Sequence, residues 1–228
     1  MDSILPAPGP TALIFDLDGT LTDSKPGILG CLRTVIDQRG LKFDEPLDRF
    51  IGPPVEEWVL YLLPDGSEEE HAALARDYRA CYDREGWSNN SVYPGVREML
   101  VQLRAAGFRL YVCTSKHHQF ALRILDAFEL TAFFDAIYGD KLEYTSHAKA
   151  GLLARILSEQ AIDRGDAWMI GDRRFDIEAA HANQVRCVAV GWGYGSAAEF
   201  AGANADAVAP TPGEVFAIVS GNHSLTSR

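Results

Sequence analysis

Short, wholly apolar runs recur along this chain, separated by segments with helical spacing. The runs span residues 12–15, 110–113, 136–138, 167–170 and 187–190. A strand that is apolar at every position is buried on both faces, as strands are in a parallel sheet covered by helices. We therefore predict an α/β fold, a Rossmann-like parallel sheet in a three-layer α/β/α arrangement.

The segments between the runs carry apolar residues at intervals of three and four. Val96, Met99, Leu100 and Leu103 follow this spacing, and Gly107 comes directly after them as a C-terminal cap. This pattern predicts an amphipathic helix whose apolar face packs on the sheet.

Residues 25–89 interrupt the alternation, because they contain no clear strand. Ser67 and Glu70 have the spacing of a capping box, and two helical apolar stripes flank them: Ile28, Cys31, Leu32, Val35 and Ile36, then Leu74, Tyr78, Cys81 and Tyr82. We predict an all-helical cap domain over 25–89, inserted into a core formed by 1–24 and 90–228.

Charge and composition exclude several classes of partner. The formal net charge is −11 and no basic tract is present, which disfavours nucleic acid polymers and anionic membranes. No apolar run has the length of a membrane span. The four cysteines form no C-x-x-C pair, so we expect buried, reduced thiols and a cytoplasmic protein.

Polar residues follow three of the predicted strands at the point where each strand ends. Asp16-Leu-Asp18-Gly19-Thr20 follows the first, Thr114-Ser115 the second, and Gly171-Asp172 with Asp176 a later one. Ligands of open parallel sheets bind at the carboxyl edge. The sequence therefore predicts a site there.

Several carboxylates brought to one edge would raise each other's pKa values unless a cation holds them. Mg²⁺ suits a few carboxylates together with a substrate phosphate. A bound Mg²⁺ would also let an acidic protein accept an anionic substrate.

The two aspartates of Asp16-x-Asp18 suggest divided labour. One carboxylate can attack phosphorus and form a covalent intermediate, while the other protonates the leaving oxygen and later activates water. Gly19 permits the turn that brings both into one pocket, and we expect Thr20 to hydrogen-bond the nucleophile.

Four segments of the chain resemble, in order, the four motifs of the haloacid dehalogenase-like hydrolases. They are Phe15-Asp-Leu-Asp-Gly-Thr-Leu-Thr-Asp-Ser24, Thr114-Ser115, a later lysine, and Gly171-Asp-Arg-Arg-Phe-Asp176. A helical cap between the first and second motifs is similar to the phosphoglycolate phosphatase-type branch.

The resemblance implies a role for each matching residue. Asp16 would be the nucleophile and Asp18 the general acid/base, with the Asp18 carbonyl also on Mg²⁺. Thr114 would bind the substrate phosphate, beside Ser115. Asp172 would be a metal ligand, and Asp176 a ligand or an anchor for one.

The third motif is a lysine that neutralises the phosphate and the nucleophile in the transition state. We assign it to Lys149, at the start of the helix after the third strand. Many phosphoglycolate phosphatases have Lys-Pro there, whereas this chain has Lys149-Ala150. Lys141 and Lys116 are the alternatives.

These features predict a Mg²⁺-dependent phosphatase acting on a small phosphorylated metabolite, similar to phosphoglycolate phosphatases. Asp18 favours a phosphatase over a dehalogenase, since a leaving chloride needs no proton. A 5′-nucleotidase-like enzyme is an alternative, because Trp192-Gly-Tyr194-Gly195 resembles a nucleotidase loop, although a structural loop is the favoured interpretation. A phosphosugar mutase and a non-catalytic binding protein are further alternatives.

Overall fold

The computed structural model describes residues 11–53, 55–140 and 148–221. Its strands are β1 Ala12–Phe15, β2 Thr22–Asp23, β3 Ser91–Val92, β4 Arg109–His117, β5 Ala136–Asp140, β6 Ala167–Gly171, β7 Arg186–Val190 and β8 Ala207–Ala209. Its α-helices are α1 Lys25–Gln38, α2 Val55–Leu62, α3 Glu68–Arg84, α4 Val96–Ala105, α5 His118–Ala127, α6 Ala148–Glu159, α7 Arg174–Ala182, α8 Ala197–Gly202 and α9 Pro212–Val219. Short 3₁₀ helices cover Leu47–Phe50, Gly86–Ser88, Thr131–Phe133 and Arg164–Asp166.

Six parallel strands form the main sheet in the order β5-β4-β1-β6-β7-β8. All five predicted apolar runs lie within its strands. β1 sits between β4 and β6, and its four residues are fully buried. The parallel-sheet prediction is confirmed, with the added edge strand β8.

Helices cover both faces of the sheet and bury two separate apolar clusters. Leu13 and Phe15 of β1 contribute to the cluster under α4, α5 and α9, whereas Ala12 and Ile14 contribute to the one under α6, α7 and α8. This alternation is the period-two pattern of a strand buried on both sides. The three-layer α/β/α arrangement is confirmed.

Residues 25–88, called the helical insert below, contain α1, α2, α3 and two of the 3₁₀ helices. The predicted capping box is present, because the Ser67 hydroxyl accepts from the Glu70 amide and the Glu70 carboxylate accepts from the Ser67 amide. The helices bury a third apolar cluster of their own. A segment with its own core and with no strand among its described residues fits the predicted cap, whose domain boundaries stay a prediction.

The insert joins the core through a short antiparallel pair, β2 with β3. Thr22 faces Val92 and Asp23 faces Ser91, so the outgoing and returning segments are tied together next to the end of β1. The four cysteines are free and buried, as predicted. Within the described ranges, no helix is both long and apolar enough to cross a bilayer.

Candidate active site

The carboxyl ends of β4, β1 and β6 place three polar residues side by side. Thr114 ends the regular part of β4, Asp16 follows β1, and Asp172 follows β6. The Asp16 amide continues the ladder by donating to the Ile170 carbonyl at 2.9 Å. The cluster of polar residues predicted from the sequence is therefore present at the carboxyl edge of the sheet.

Three buried carboxylates lie together there. Suitable oxygens of Asp16, Asp172 and Asp176 all lie within 4.8 Å of one another. Asp176 reaches the site from the first turn of α7, where its carboxylate also accepts from the Arg173 amide at 3.0 Å. The helix start thus fixes one carboxylate, and the strand ends fix the other two.

Burial and mutual repulsion disfavour negative charge in this cluster. Burial, opposed by Lys149 and reinforced by Asp176 and Asp18, raises the pKa of Asp16 to about 6. Burial also raises the pKa of Asp172 well above its usual range, and the Asp176 and Asp16 carboxylates raise it further. A bound cation would offset both effects.

Lys149 extends from the first turn of α6 into the cluster. Its ammonium lies 2.8 Å from Oδ2 of Asp16 and 2.5 Å from Oδ1 of Asp176. Burial opposes the charged form, but these carboxylates outweigh it and raise the pKa of Lys149 above its usual value. The alternative Lys116 pairs with Asp18 instead, and Lys141 lies outside the described residues.

The raised pKa of Asp16 makes the stability of the metal-free protein depend on pH. Because the folded value of about 6 exceeds the ordinary 3.8, this group's stabilising contribution is present below pH 3.8 and is lost as the pH rises through 6. The shift corresponds to about 3 kcal/mol of unfolding free energy.

The Asp16→Asn variant has no ionisable side chain at this position. We expect the free energy of unfolding of the variant to equal that of wild type near pH 4 and to exceed it by up to about 3 kcal/mol at neutral pH. Urea unfolding in EDTA measures this difference. A wild type equally stable at neutral pH would contradict this electrostatic account.

Asp18 lies in the tight turn after β1. Gly19 has φ +85°, and a Cβ there would come 2.2 Å from Oδ2 of Asp172. Glycine thus lets the turn pack directly against the Asp172 carboxylate. Oδ2 of Asp18 pairs with the Lys116 ammonium at 3.0 Å.

The expected partner of Thr20 was wrong. The sequence predicted a hydrogen bond to the nucleophile, but the Thr20 hydroxyl donates to Oδ1 of Asp172 at 3.3 Å. Thr20 is fully buried and does not line the cavity described below. The Thr20 hydroxyl can therefore orient the Asp172 carboxylate.

The loop after β7 supports the same turn through contacts that the sequence did not predict. The Tyr194 amide donates to Oδ2 of Asp172 at 2.8 Å, and the Trp192 indole donates to the Thr20 carbonyl at 3.0 Å. The Tyr194 hydroxyl contacts Asp23 at 3.0 Å. These contacts agree with the favoured interpretation of residues 192–195 as a structural loop. Tyr194 also lines the cavity.

A cavity of about 630 Å³ opens above the carboxylates, lined by residues of the core and of the helical insert. Asp16, Asp18, Thr114, Ser115 and Lys149 line its floor. Its other walls are rich in aromatic side chains: Phe50, Trp58, Tyr78, Tyr82, Phe120 and Phe175. Pockets of this size accommodate metabolites.

Contacts between core and insert enclose this cavity. The Lys116 ammonium donates to the Tyr82 hydroxyl at 2.7 Å, and the Arg173 guanidinium donates to the Ile51 carbonyl. Arg123 pairs with Asp83 at 2.9 Å. The sequence did not predict a functional role for Tyr82 or Arg173. Arg173 stands within the fourth motif, which was the only signal available for either.

The carboxylate cluster of Asp16, Asp172 and Asp176 fits a hard divalent cation. Three buried carboxylates offer oxygen ligands, as Mg²⁺ prefers. Oδ1 of Asp16 and Oδ1 of Asp18 are buried, and neither has a hydrogen-bond partner among the described residues. An unpaired buried carboxylate oxygen is costly, and a cation would satisfy the one on Asp16.

Known proteins match this chain over most of its length. It is 38% identical over 194 residues to the tyrosine-protein kinase PtkA of Mycobacterium tuberculosis, covering 84% of this chain and 66% of that protein. This chain therefore spans about two thirds of PtkA. It is 37% identical over 189 residues to a 5′-nucleotidase of Pseudomonas aeruginosa, covering 81% of this chain and 84% of that protein.

A phosphoglycolate phosphatase of Nitrosospira multiformis is 32% identical over 209 residues, covering 88% of this chain and 91% of that protein. A solved haloacid dehalogenase-like family hydrolase from Streptococcus pneumoniae superposes with a TM-score of 0.82 at 29% identity, covering 91% of this chain and 97% of that one. The family model described as haloacid dehalogenase-like hydrolase matches residues 13–190. The chain is therefore an enzyme of the haloacid dehalogenase-like hydrolase family.

Proposed function

We propose that this enzyme is a Mg²⁺-dependent phosphatase that hydrolyses small phosphate monoesters through an aspartyl-phosphate on Asp16. The observation that carries the proposal is the cluster of buried carboxylates of Asp16, Asp172 and Asp176, in which Lys149 pairs with Asp16 and Asp176. Asp16 and Lys149 connect this cluster to the cavity, which both of them line. Its relatives named 5′-nucleotidase and phosphoglycolate phosphatase support the reaction class.

In the first half-reaction Asp16 is the nucleophile. One of its carboxylate oxygens forms a bond to phosphorus while the ester P–O bond breaks. The electron pair of the broken bond goes to the leaving oxygen, which takes the proton carried by the Asp18 carboxyl group. The alcohol departs and an acyl-phosphate remains on Asp16.

In the second half-reaction water replaces the alcohol. A water oxygen bonds to phosphorus, the bond from phosphorus to Asp16 breaks, and its electron pair returns to the carboxylate. Asp18, now deprotonated, takes the proton of the water. Both aspartates end as they began, and inorganic phosphate is released.

Positive charge at the floor stabilises both transition states. Lys149 already lies 2.8 Å from Asp16, where it neutralises charge that develops between the nucleophile and the phosphate. Asp16, Asp172, Asp176 and the Asp18 carbonyl would hold the cation. When bound, Mg²⁺ supplies further neutralisation of the phosphate oxygens.

The substrate phosphate would lie against the end of β4. Thr114 and Ser115 line the cavity beside Asp16, and the Thr114 hydroxyl already accepts from the Lys116 amide at 3.1 Å. That bond directs the hydroxyl's own proton elsewhere, and we assign it to a phosphate oxygen. The helical insert, proposed as a cap over 25–89, admits a small ester and excludes bulk water.

Two substrate classes follow from the site and the relatives. A phosphoglycolate-like ester needs only the floor of the cavity. The aromatic walls, with Phe50, Trp58 and Phe120 among them, favour a bulkier ester that can pack on rings, such as a nucleoside 5′-monophosphate. The relative named 5′-nucleotidase agrees with the second class. A mutase would use the same floor but return the phosphoryl group to a sugar hydroxyl.

A panel of phosphomonoesters tests the proposal. Phosphate release is measured with and without Mg²⁺ from 2-phosphoglycolate, nucleoside 5′-monophosphates, hexose phosphates and phosphotyrosine. We expect Mg²⁺-dependent release, with kcat/KM for the preferred nucleotide exceeding that for 2-phosphoglycolate by about tenfold, since each buried aromatic contact contributes about 1 kcal/mol. Interconversion of hexose phosphates without phosphate release would indicate a mutase. The absence of phosphate release from every ester in the panel would contradict a phosphatase.

A further inference from the structure

Lys116 connects the helical insert to the residue that transfers protons. Its ammonium lies 3.0 Å from Oδ2 of Asp18 and donates to the Tyr82 hydroxyl at 2.7 Å. The Lys116 side chain is only 8% exposed, so water competes weakly for these contacts. The same ammonium lies 4.5 Å from the centroid of the Tyr82 ring.

Tyr82 is itself buried among aromatic rings. It belongs to α3 of the insert and is buried between Tyr78, whose ring lies 5.9 Å away, and Phe120, whose ring lies 5.2 Å away. Phe120 belongs to α5 of the core and Lys116 to β4 of the core. The Tyr82 hydroxyl therefore reaches Lys116 only when insert and core are together.

The two oxygens of Asp18 consequently have different surroundings. Oδ2 is held by Lys116, whereas Oδ1 is buried with no hydrogen-bond partner among the described residues. Asp18 lines the cavity. By holding Oδ2, the Lys116 ammonium fixes the orientation of the Asp18 carboxylate at the cavity.

We propose that Lys116, held by Tyr82, is a positioning residue that orients the Asp18 carboxylate toward the leaving oxygen of the substrate. The inference rests on the proposed function, in which Asp18 carries that proton. It makes catalysis depend on the insert being closed, because only then does Tyr82 hold the lysine.

Leaving-group dependence separates this role from a purely structural one. An alkoxide leaves poorly unless it is protonated, whereas p-nitrophenolate leaves readily without a proton. A misdirected Asp18 should therefore slow alkyl phosphates selectively. The ratio of kcat/KM for an alkyl phosphate to kcat/KM for p-nitrophenyl phosphate measures this effect, and it is insensitive to the fraction of folded protein.

The test compares Tyr82→Phe and Lys116→Met with wild type in saturating Mg²⁺. Tyr82→Phe removes the hydroxyl and keeps the ring, so we expect the ratio to fall about tenfold, with a larger fall in Lys116→Met, since small misplacements of a catalytic group cost up to about 10²-fold. Asp18→Asn sets the upper limit. Tyr61→Phe, the same deletion on an exposed ring outside the cavity, should leave the ratio unchanged.

Two results would overturn the proposal. An unchanged ratio in Tyr82→Phe and Lys116→Met would remove the link to Asp18. An equal fall on both substrates would place Lys116 on the substrate phosphate instead. Asp16→Asn, assayed in parallel, distinguishes the failures: an active Asp16→Asn protein contradicts the covalent mechanism itself, whereas an inactive one confines the failure to Lys116.

Discussion

Asp16→Asn is expected to lower kcat/KM by about 10⁴-fold or more for every ester the wild type hydrolyses, as loss of other enzymes' nucleophiles does. The amide nitrogen cannot form an acyl-phosphate, although the side chain keeps nearly the same volume. The backbone bond from residue 16 to Ile170 does not involve the carboxylate, so the strand end stays in place. The measurement is phosphate release in Mg²⁺, together with mass spectrometry of acid-quenched protein for a phosphoryl adduct.

Asp126→Asn is a matched control for this prediction. Asp126 is exposed on α5 and does not line the cavity, so the same chemical change there should leave turnover and adduct formation intact. Asp16→Asn protein that retained activity within tenfold of wild type, or that still trapped phosphate, would exclude Asp16 as the nucleophile.

The central strands of the fold were predictable because burial on both faces leaves a continuous apolar signature. The signal fails where burial is partial or pairing is very short. β8 is a three-residue apolar run, Ala207–Ala209, and its central Val208 is 46% exposed, so the run is too short and too weakly buried to stand out as a strand. β2 and β3 have two residues each, and no periodicity can show in two residues. Their pairing spans the whole insert.

Candidate residues of the site were predictable where they belong to a motif at the end of a strand. Asp16, Thr114 and Asp172 are of this kind, since a strand end fixes the position of the residue after it. Partners that depend on packing between distant segments were not predictable. The Thr20 hydroxyl meets Asp172, 152 positions away, and Tyr82 meets Lys116 only across the boundary between insert and core.

The cluster of buried carboxylates explains why we expect the site to need a cation for stability as well as for turnover. Burial raises the pKa values of Asp16 and Asp172, and therefore charging these groups at neutral pH opposes folding. Lys149 supplies one positive charge against Asp16 and Asp176. A divalent cation would add the positive charge that this cluster lacks, so stability and turnover should respond to Mg²⁺ together.

Removal of divalent cations with EDTA is accordingly expected to lower turnover by about 10³-fold or more, a loss of several kcal/mol of transition-state stabilisation, with recovery on addition of MgCl₂. Without substrate, Mg²⁺ at about 100 times its Kd should raise the melting temperature by roughly 5–10 °C. Asp172→Asn should lose both responses while melting no lower than wild type in EDTA, because the variant removes a buried charge. The asparagine oxygen can still accept from the Tyr194 amide, and its NH2 group can donate to the Thr20 hydroxyl in place of the bond that Thr20 now donates. Asp126→Asn should keep both responses. Full turnover by metal-free protein, or a Mg²⁺-induced shift retained in Asp172→Asn, would exclude this carboxylate cluster as the metal site.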